Sequence, residues 1–395
     1  MKIPVVKPYF DNKEIEAVTS VLKSGWLVQG PMVAEFERMI TGFTKVKFAK
    51  ASSSCTTALH LALLASGIGH GDRVLVPSFT YVASANAIEY TGATPVFIDI
   101  NPDTFNIDPQ KIADYLEKSR QSNIKGIVPV HLFGLAADMN PIMEIARQYN
   151  LKVIEDAACA LGTFYYKKHV GTFGNAGCFS LHPRKSITTG EGGITITNDK
   201  EIATAIESLR NHGASVSDLA RHQKEGFLLP EFNILGYNYR MTDLQGAIGI
   251  EQMKKLTFII NQKTKRARLY DERLKGIDYL RLPSAPEGYR HVYQSYVAQI
   301  KNPTSKNLSL DELNQIRNRI MLKLEEKGIA TRQGTHAVHT LGYYRKKYNL
   351  KDGDYPNSLA ADRLSITLPL YVQMTDKEQE YVIDNLLAIA GGYFG

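Results

Sequence analysis

Six short apolar runs stand along the first two-thirds of this 395-residue chain, with helical patterns between them. They are Arg73-Val-Leu-Val76, Pro95-Val-Phe-Ile-Asp99, Gly126-Ile-Val-Pro-Val130, Leu151-Lys-Val-Ile-Glu155, Ala176-Gly-Cys-Phe-Ser180 and Gly193-Ile-Thr-Ile-Thr197. Runs this short, rich in β-branched residues and bounded by turn residues, read as buried strands. The stretch 57–65 is apolar nearly all round, the mark of a helix buried on every side. Helical patterns also cover 139–149 and 200–211, the second led by Asn198 and Asp199 as capping residues. Strand and helix in alternation dictate an α/β fold on a largely parallel sheet.

After about residue 255 the texture changes. A charged helical stretch runs over 253–274, followed by a strand-like run at 293–300. A helix over 309–327 opens with Ser309 and Glu312 in capping-box spacing, and a last helix covers 375–390. A chain of this length exceeds one hydrophobic core. The reading is a large α/β domain over 1–255 and a smaller C-terminal α+β domain over 256–395. No Pro/Gly/Ser linker separates them, so they are expected to pack closely.

The 47 Lys and Arg against 40 Asp and Glu leave a net charge of +7. Basic residues cluster at 263–268 and 345–347, but without the interleaved aromatics of a single-strand platform. Nucleic-acid binding is therefore not expected, and an anionic substrate or cofactor accounts for the charge. Cys55, Cys159 and Cys178 form no CxxC pair, which favours a reducing, cytoplasmic setting. The first residues lack the apolar core of a signal peptide, and no apolar run is long enough to span a bilayer. His336 and His339 stand three apart, yet no cysteine or acidic motif completes a zinc set, so no metal is expected.

In an open α/β sheet, ligands gather beyond the carboxyl ends of the strands. Asp156 ends one strand, followed by the small Ala157 and Ala158, which leave room for a flat ring. A carboxylate there favours the protonated form of a ring nitrogen. The hydroxyl-rich stretch 52–57 opens the buried helix, a natural anion site. Phe79 and Tyr81 follow a third strand and can stack on a ring. Lys185 lies between the strand ending at Ser180 and a glycine-rich turn, Thr188-Thr-Gly-Glu-Gly-Gly193. An amine so placed suits a Schiff base with an aldehyde cofactor whose phosphate is held close by.

In this order and spacing, these features resemble the fold-type I PLP enzymes. Within them the chain resembles the DegT-type family of sugar aminotransferases over nearly its whole length. The matching stretches include Ser24-Gly-Trp-Leu-Val-Gln-Gly30, Val130-His-Leu-Phe-Gly134, 154–158, 179–193, Gly236-Tyr-Asn-Tyr-Arg-Met-Thr-Asp243 and Leu368-Pro-Leu-Tyr371. The resemblance implies a Schiff base between pyridoxal 5'-phosphate and Lys185, with Asp156 on the pyridine nitrogen. It implies Ser180, Cys55 and Thr56 at the phosphate and Tyr81 against the ring. A homodimer is implied too, with Asn238 reaching the phosphate in the neighbouring subunit. Cys159 stands where the family usually has a glutamine on the cofactor's ring hydroxyl, and a thiol is the poorer donor. Trp26, His182, Arg240, Arg332 and His336 are candidates for contact with substrate. Either arginine suits a carboxylate or another anionic group. His131 and His182 read equally well as structural or as neighbours of the cofactor.

The function so read is transfer of an amino group, with L-glutamate as the donor the family suggests, to a keto or aldehyde sugar in amino-sugar biosynthesis for surface polysaccharide or lipopolysaccharide. A nucleotide-linked keto-hexose or an oxidised octulosonate-type sugar is the expected acceptor. Desolvation near a cationic cofactor is expected to lower the Lys185 pKa. Two other readings stand beside this one. A sugar dehydratase of the same family carries histidine at the lysine position. A non-catalytic sugar- or DNA-binding regulator needs neither Lys185 nor Asp156.

Overall fold

The computed structural model describes residues 1–119, 123–215 and 231–394. Seven strands form the main sheet: β1 (Phe48–Ser52), β2 (Arg73–Pro77), β3 (Thr94–Ile98), β4 (Ile124–Ile127), β5 (Lys152–Asp156), β6 (Ala176–Ser180) and β7 (Gly193–Thr197). Their spatial order is β1-β7-β6-β5-β4-β2-β3. From β6 to β3 every pairing is parallel, whereas β7 runs antiparallel to both β6 and β1. Six strands thus point the same way and β7 alone is reversed. The strands most buried on both faces, such as β6 and β7, are those that read as continuous apolar runs.

Helices cover the sheet: α1 (Asn12–Ser24), α2 (Pro31–Thr44), α3 (Cys55–Ala65), α4 (Ala83–Tyr90), α5 (Pro109–Lys118), α6 (Met139–Gln148) and α7 (Lys200–Leu209). Helix α3 is buried over Ala58–Leu63, as its all-round apolar pattern requires. Its Ser54 cap accepts from Thr57 N–H, and Thr57 Oγ1 accepts from Ser54 N–H, a reciprocal capping box.

A 32-residue helix, α8 (Asp243–Leu274), runs along the molecule, with α1 and α2 packed on its first half. Its buried positions Lys263, Ala267, Tyr270 and Leu274 recur at helical spacing. Beyond it lie β8 (Leu280–Arg281), β9 (Tyr296–Ile300) and β10 (Ser365–Leu368), an antiparallel sheet in the order β8-β9-β10. The helices α9 (Leu310–Glu326), α10 (Gly342–Tyr348), α11 (Pro356–Leu364) and α12 (Asp376–Phe394) complete the α-helices among the described residues. A second apolar cluster gathers here, with Tyr270, Tyr296, Ile320, Ile366 and Leu386, and Ile3 joins it from the amino end. We propose that this cluster marks the smaller unit. The 255/256 division falls inside α8, which both units share.

Candidate active site

The carboxyl ends of β1, β2, β5 and β6 open onto one cleft of about 430 Å³. Ser54, Cys55, Thr56, Tyr81, Asp156, Cys159, Ser180, His182, Lys185 and Arg332 all line it. The topology is the reason. Co-directional strands place all their carboxyl ends on one edge, and the loops that leave them meet there.

Asp156, the last residue of β5, is 5% exposed. Its Oδ2 accepts from the Ser84 hydroxyl at 2.7 Å and its Oδ1 from Ala158 N–H at 3.1 Å. Thr80 Oγ1 lies 2.9 Å from Ser84 Oγ and extends the chain of hydroxyls. Two donors, one on each oxygen, fix its orientation. Ser84 and Thr80 escape the sequence reading, because a serine among the small residues of a helix start carries no local signal of a partner 72 positions away.

At the start of α3 the first N–H groups, those of Cys55 and Thr56, have no intrahelical acceptor, as at any helix N-terminus. Gly193 lets β7 approach this turn: a Cβ there would sit 2.2 Å from Ser54 O and 2.5 Å from Cys55 N. Ser180, nine-tenths buried, ends the neighbouring strand. Backbone donors, a helix start and a hydroxyl therefore face one corner of the cleft, the donor set a phosphate takes.

Lys185 hangs on the 181–192 loop between the antiparallel β6 and β7. The loop is closed at its base by Leu181 N–H to Gly192 O at 2.9 Å and Thr189 N–H to Leu181 O at 3.0 Å. Between these two contacts, where the loop returns to β7, Gly190 adopts φ of 83°, a conformation glycine takes without strain. Lys185 Nζ lies 3.1 Å from Cys159 Sγ. Burial works to lower the lysine's pKa, but Cys159, then Cys55 and Asp156, outweigh it, and the net shift is upward. In the chain alone the shift is thus opposite in sign to the lowering expected of this amine beside a cationic cofactor.

His182 sits on the cleft wall, its pKa lowered by burial. His131 is structural. Its Nδ1 accepts from Ala137 N–H and its Nε2 lies 3.0 Å from Glu155 Oε2, both side chains fully buried. Glu155 also accepts from Gly171, Phe173 and Gly174 N–H groups, so the pair ties β5 to the 171–174 turn. His339 is likewise engaged, with Nδ1 2.6 Å from Ser78 Oγ and Nε2 3.1 Å from Asp352 O.

The remaining candidates fall outside the cleft of their own chain. Trp26 packs over Gly30, where a Cβ would meet its indole. His336 is exposed on a two-residue strand paired with Phe79–Thr80. Arg240 Nη1 donates to Asn211 Oδ1 at 2.6 Å, and the exposed Asn238 bridges to Asn211 by backbone. Of the two arginines left open by the sequence, Arg332 is the one at the cleft.

The residues present fit a phosphorylated pyridine aldehyde. A buried, doubly hydrogen-bonded carboxylate stands at one side, a lysine amine at another, and the α3 start beside Gly193 at a third.

Comparison with known proteins adds to this geometry. Residues 8–387 match the model of the DegT/DnrJ/EryC1/StrS aminotransferase family. The GDP-perosamine synthase of Caulobacter vibrioides is 36% identical over 384 residues, covering 97% of this chain and 96% of that protein. Helicobacter pylori PseC, an aminotransferase involved in the biosynthesis of pseudoaminic acid, superposes with a TM-score of 0.89 at 26% identity, covering 99% of this chain and all of the other. Spr1654 of Streptococcus pneumoniae, solved in its PLP-form, superposes with a TM-score of 0.89 at 26% identity over the whole of both chains.

Proposed function

Because the chain belongs to the DegT/DnrJ/EryC1/StrS family of PLP-dependent sugar aminotransferases, we propose that it moves the amino group of L-glutamate to the carbonyl of an anionic keto or aldehyde sugar. The observation that carries this reading is the meeting of Lys185, Asp156 and the α3 start in one cleft.

Lys185 would hold the cofactor, Asp156 would stand at its ring nitrogen, and Ser180 with the Cys55 and Thr56 N–H groups would take its phosphate. Tyr81, 63% exposed and on the cleft lining, would cover the ring. When bound, PLP supplies an electron sink for the pair left at the donor's Cα. The protein's part is proton transfer and positioning. The Lys185 amine takes the proton from the donor's Cα and returns one when the sugar carbon is aminated. The buried Asp156, fixed by Ser84, keeps a positive charge favourable at the ring nitrogen. Arg332 offers a fork to the donor carboxylate or to the sugar's anionic group. The overall exchange turns an amino acid and a keto sugar into a keto acid and an amino sugar.

Two acceptor types suit this charge, a nucleotide-linked keto-hexose and an oxidised octulosonate, and both belong to amino-sugar biosynthesis for surface polysaccharide or lipopolysaccharide. The relative named for GDP-perosamine supports the first. The exposed Asn238 segment supports a homodimer in which it reaches the neighbouring site. Three unpaired cysteines support a cytoplasmic setting. A panel of keto sugars incubated with glutamate and the PLP-loaded protein, read by mass spectrometry, tests the reaction. Amination of one sugar, lost in Lys185→Ala together with the cofactor's visible absorption band, is the expected result. Unchanged spectra in Lys185→Ala refute it.

A further inference from the structure

A second lysine stands behind the first. Lys263, on α8, is 3% exposed, and its Nζ donates to Gln294 O at 2.6 Å. Gln294 is 7% exposed and forms part of the cleft wall. Its own side chain turns the other way, and Nε2 donates to Arg184 O at 2.6 Å. Arg184 is the residue before Lys185. An amine on α8 thus fixes the backbone of residue 294, and the amide of residue 294 fixes the peptide that carries the cleft lysine.

The rest of that turn is held locally, by Lys185 N–H to His182 O at 2.8 Å and Arg184 N–H to His182 Nδ1 at 3.2 Å. Among the described residues, the backbone of 182–186 reaches other elements through His182 N–H to Ser180 Oγ at 3.4 Å, on the adjoining β6, and through the shorter bond from Gln294, which comes from a distant part of the chain.

A buried lysine amine with a single carbonyl partner is a poor stabiliser, and an apolar side chain of similar length fills such a space at lower cost. Burial, reinforced by the charge of Lys185, pushes the Lys263 pKa down to about 7 despite the opposing pull of Cys159. Stability therefore gives no reason for a lysine here, whereas holding one carbonyl does.

We propose that Lys263 and Gln294 are positioning residues that set where the Lys185 amine stands, an inference resting on the reading of Lys185 as the lysine that binds PLP. The test separates covalent capture from mere binding. Pyridoxamine phosphate fills the same cleft but forms no bond to a lysine, whereas PLP is trapped on Lys185 by borohydride and counted by mass spectrometry. In Lys263→Met and in Gln294→Met, capture of PLP is expected to slow by about tenfold or more, the scale on which misplacing a reacting group acts. Affinity for pyridoxamine phosphate should stay within about twofold, a few tenths of a kcal/mol. Lys263→Arg, which keeps the donor, should recover most of the rate. Capture at the wild-type rate in both methionine variants overturns the proposal. So does an equal loss of PLP capture and pyridoxamine phosphate affinity, which would mark a merely structural role. A wild-type protein that captures no PLP at all would instead refute the underlying reading, and this one with it.

Discussion

The Ser84 hydroxyl donates to Asp156 Oδ2 across 2.7 Å, and both residues are buried, at 1% and 5% exposure. A hydrogen bond to a buried charge contributes about 1.5–3 kcal/mol. Ser84→Ala removes it and leaves the carboxylate one donor short. Cofactor retention is expected to weaken by about tenfold or more, equivalent to about 1.4 kcal/mol, as measured by equilibrium dialysis of PLP. Dialysis at wild-type affinity would show that Ala158 N–H alone suffices.

Gly193 faces the opposite corner. The Cβ of Gly193→Ala would meet Ser54 O and Cys55 N well inside contact distance. Backbone cannot swing aside as a side chain can, so the α3 start must shift, at about 1–3 kcal/mol of stability. The phosphate corner should suffer most. Affinity for PLP is expected to fall further than affinity for pyridoxal, which lacks the phosphate. Equal losses for the two would remove the α3 start from phosphate binding.

Cys159 is one of the groups that outweigh burial and hold the Lys185 pKa above its ordinary 10.5. Its removal in Cys159→Ala should let burial pull the value down. More free amine is then present at any pH below that value, so the pH profile for PLP capture shifts to lower pH. Stopped-flow absorbance over a pH series checks this, and a profile that stays in place denies the coupling.

Acid should unfold the protein through its buried histidines. His169 Nε2 accepts from Gly162 N–H at 2.9 Å, so protonation there breaks a backbone bond. Burial drops its pKa from 6.5 to about 4. Above pH 6.5 the folded and unfolded histidine are both neutral and this contribution is intact. As pH falls from 6.5 to about 4 the unfolded chain binds the proton first, and stability declines by about 3 kcal/mol. His169→Gln, which can still accept from Gly162, should flatten this part of the curve in urea titrations across that range.

Arg332 lines the cleft. Losing its charge-assisted contact in Arg332→Ala should raise KM for the sugar or the donor by about tenfold or more, on a loss of about 1.5–3 kcal/mol. Steady-state kinetics with each substrate varied in turn shows which of the two it holds.

Much of this was legible in the chain before it was folded. All six apolar runs proved to be strands of the main sheet, displaced by no more than three residues at either end. Lys185, Asp156, Ser180 and the 52–57 stretch meet because strand ends converge, and strand ends are what apolar runs mark. Less was legible where partners come from afar. Ser84 and Gln294 look like ordinary polar residues, and only folding brings them to Asp156 and Arg184. Lys263 was hidden in a different way. The run 263–268 stands in the sequence as a basic cluster, yet α8 turns Lys263 inward on the same stripe as Ala267 and Tyr270. The amino-terminal α1 and α2 were passed over, since they carry their apolar residues on one face only and pack on a helix more than 200 positions away.

The reversed strand β7 has a consequence for time as well as for shape. A parallel neighbour would require a long crossover, and the segment leaving β6 would travel to the far side of the sheet before returning. Because β7 turns straight back, the loop between them is a short arch with both feet nailed to adjacent rungs of one ladder. An arch of that kind has surrendered its conformational entropy during folding. The lysine at its crown is held at the cleft from the moment the chain first closes its sheet.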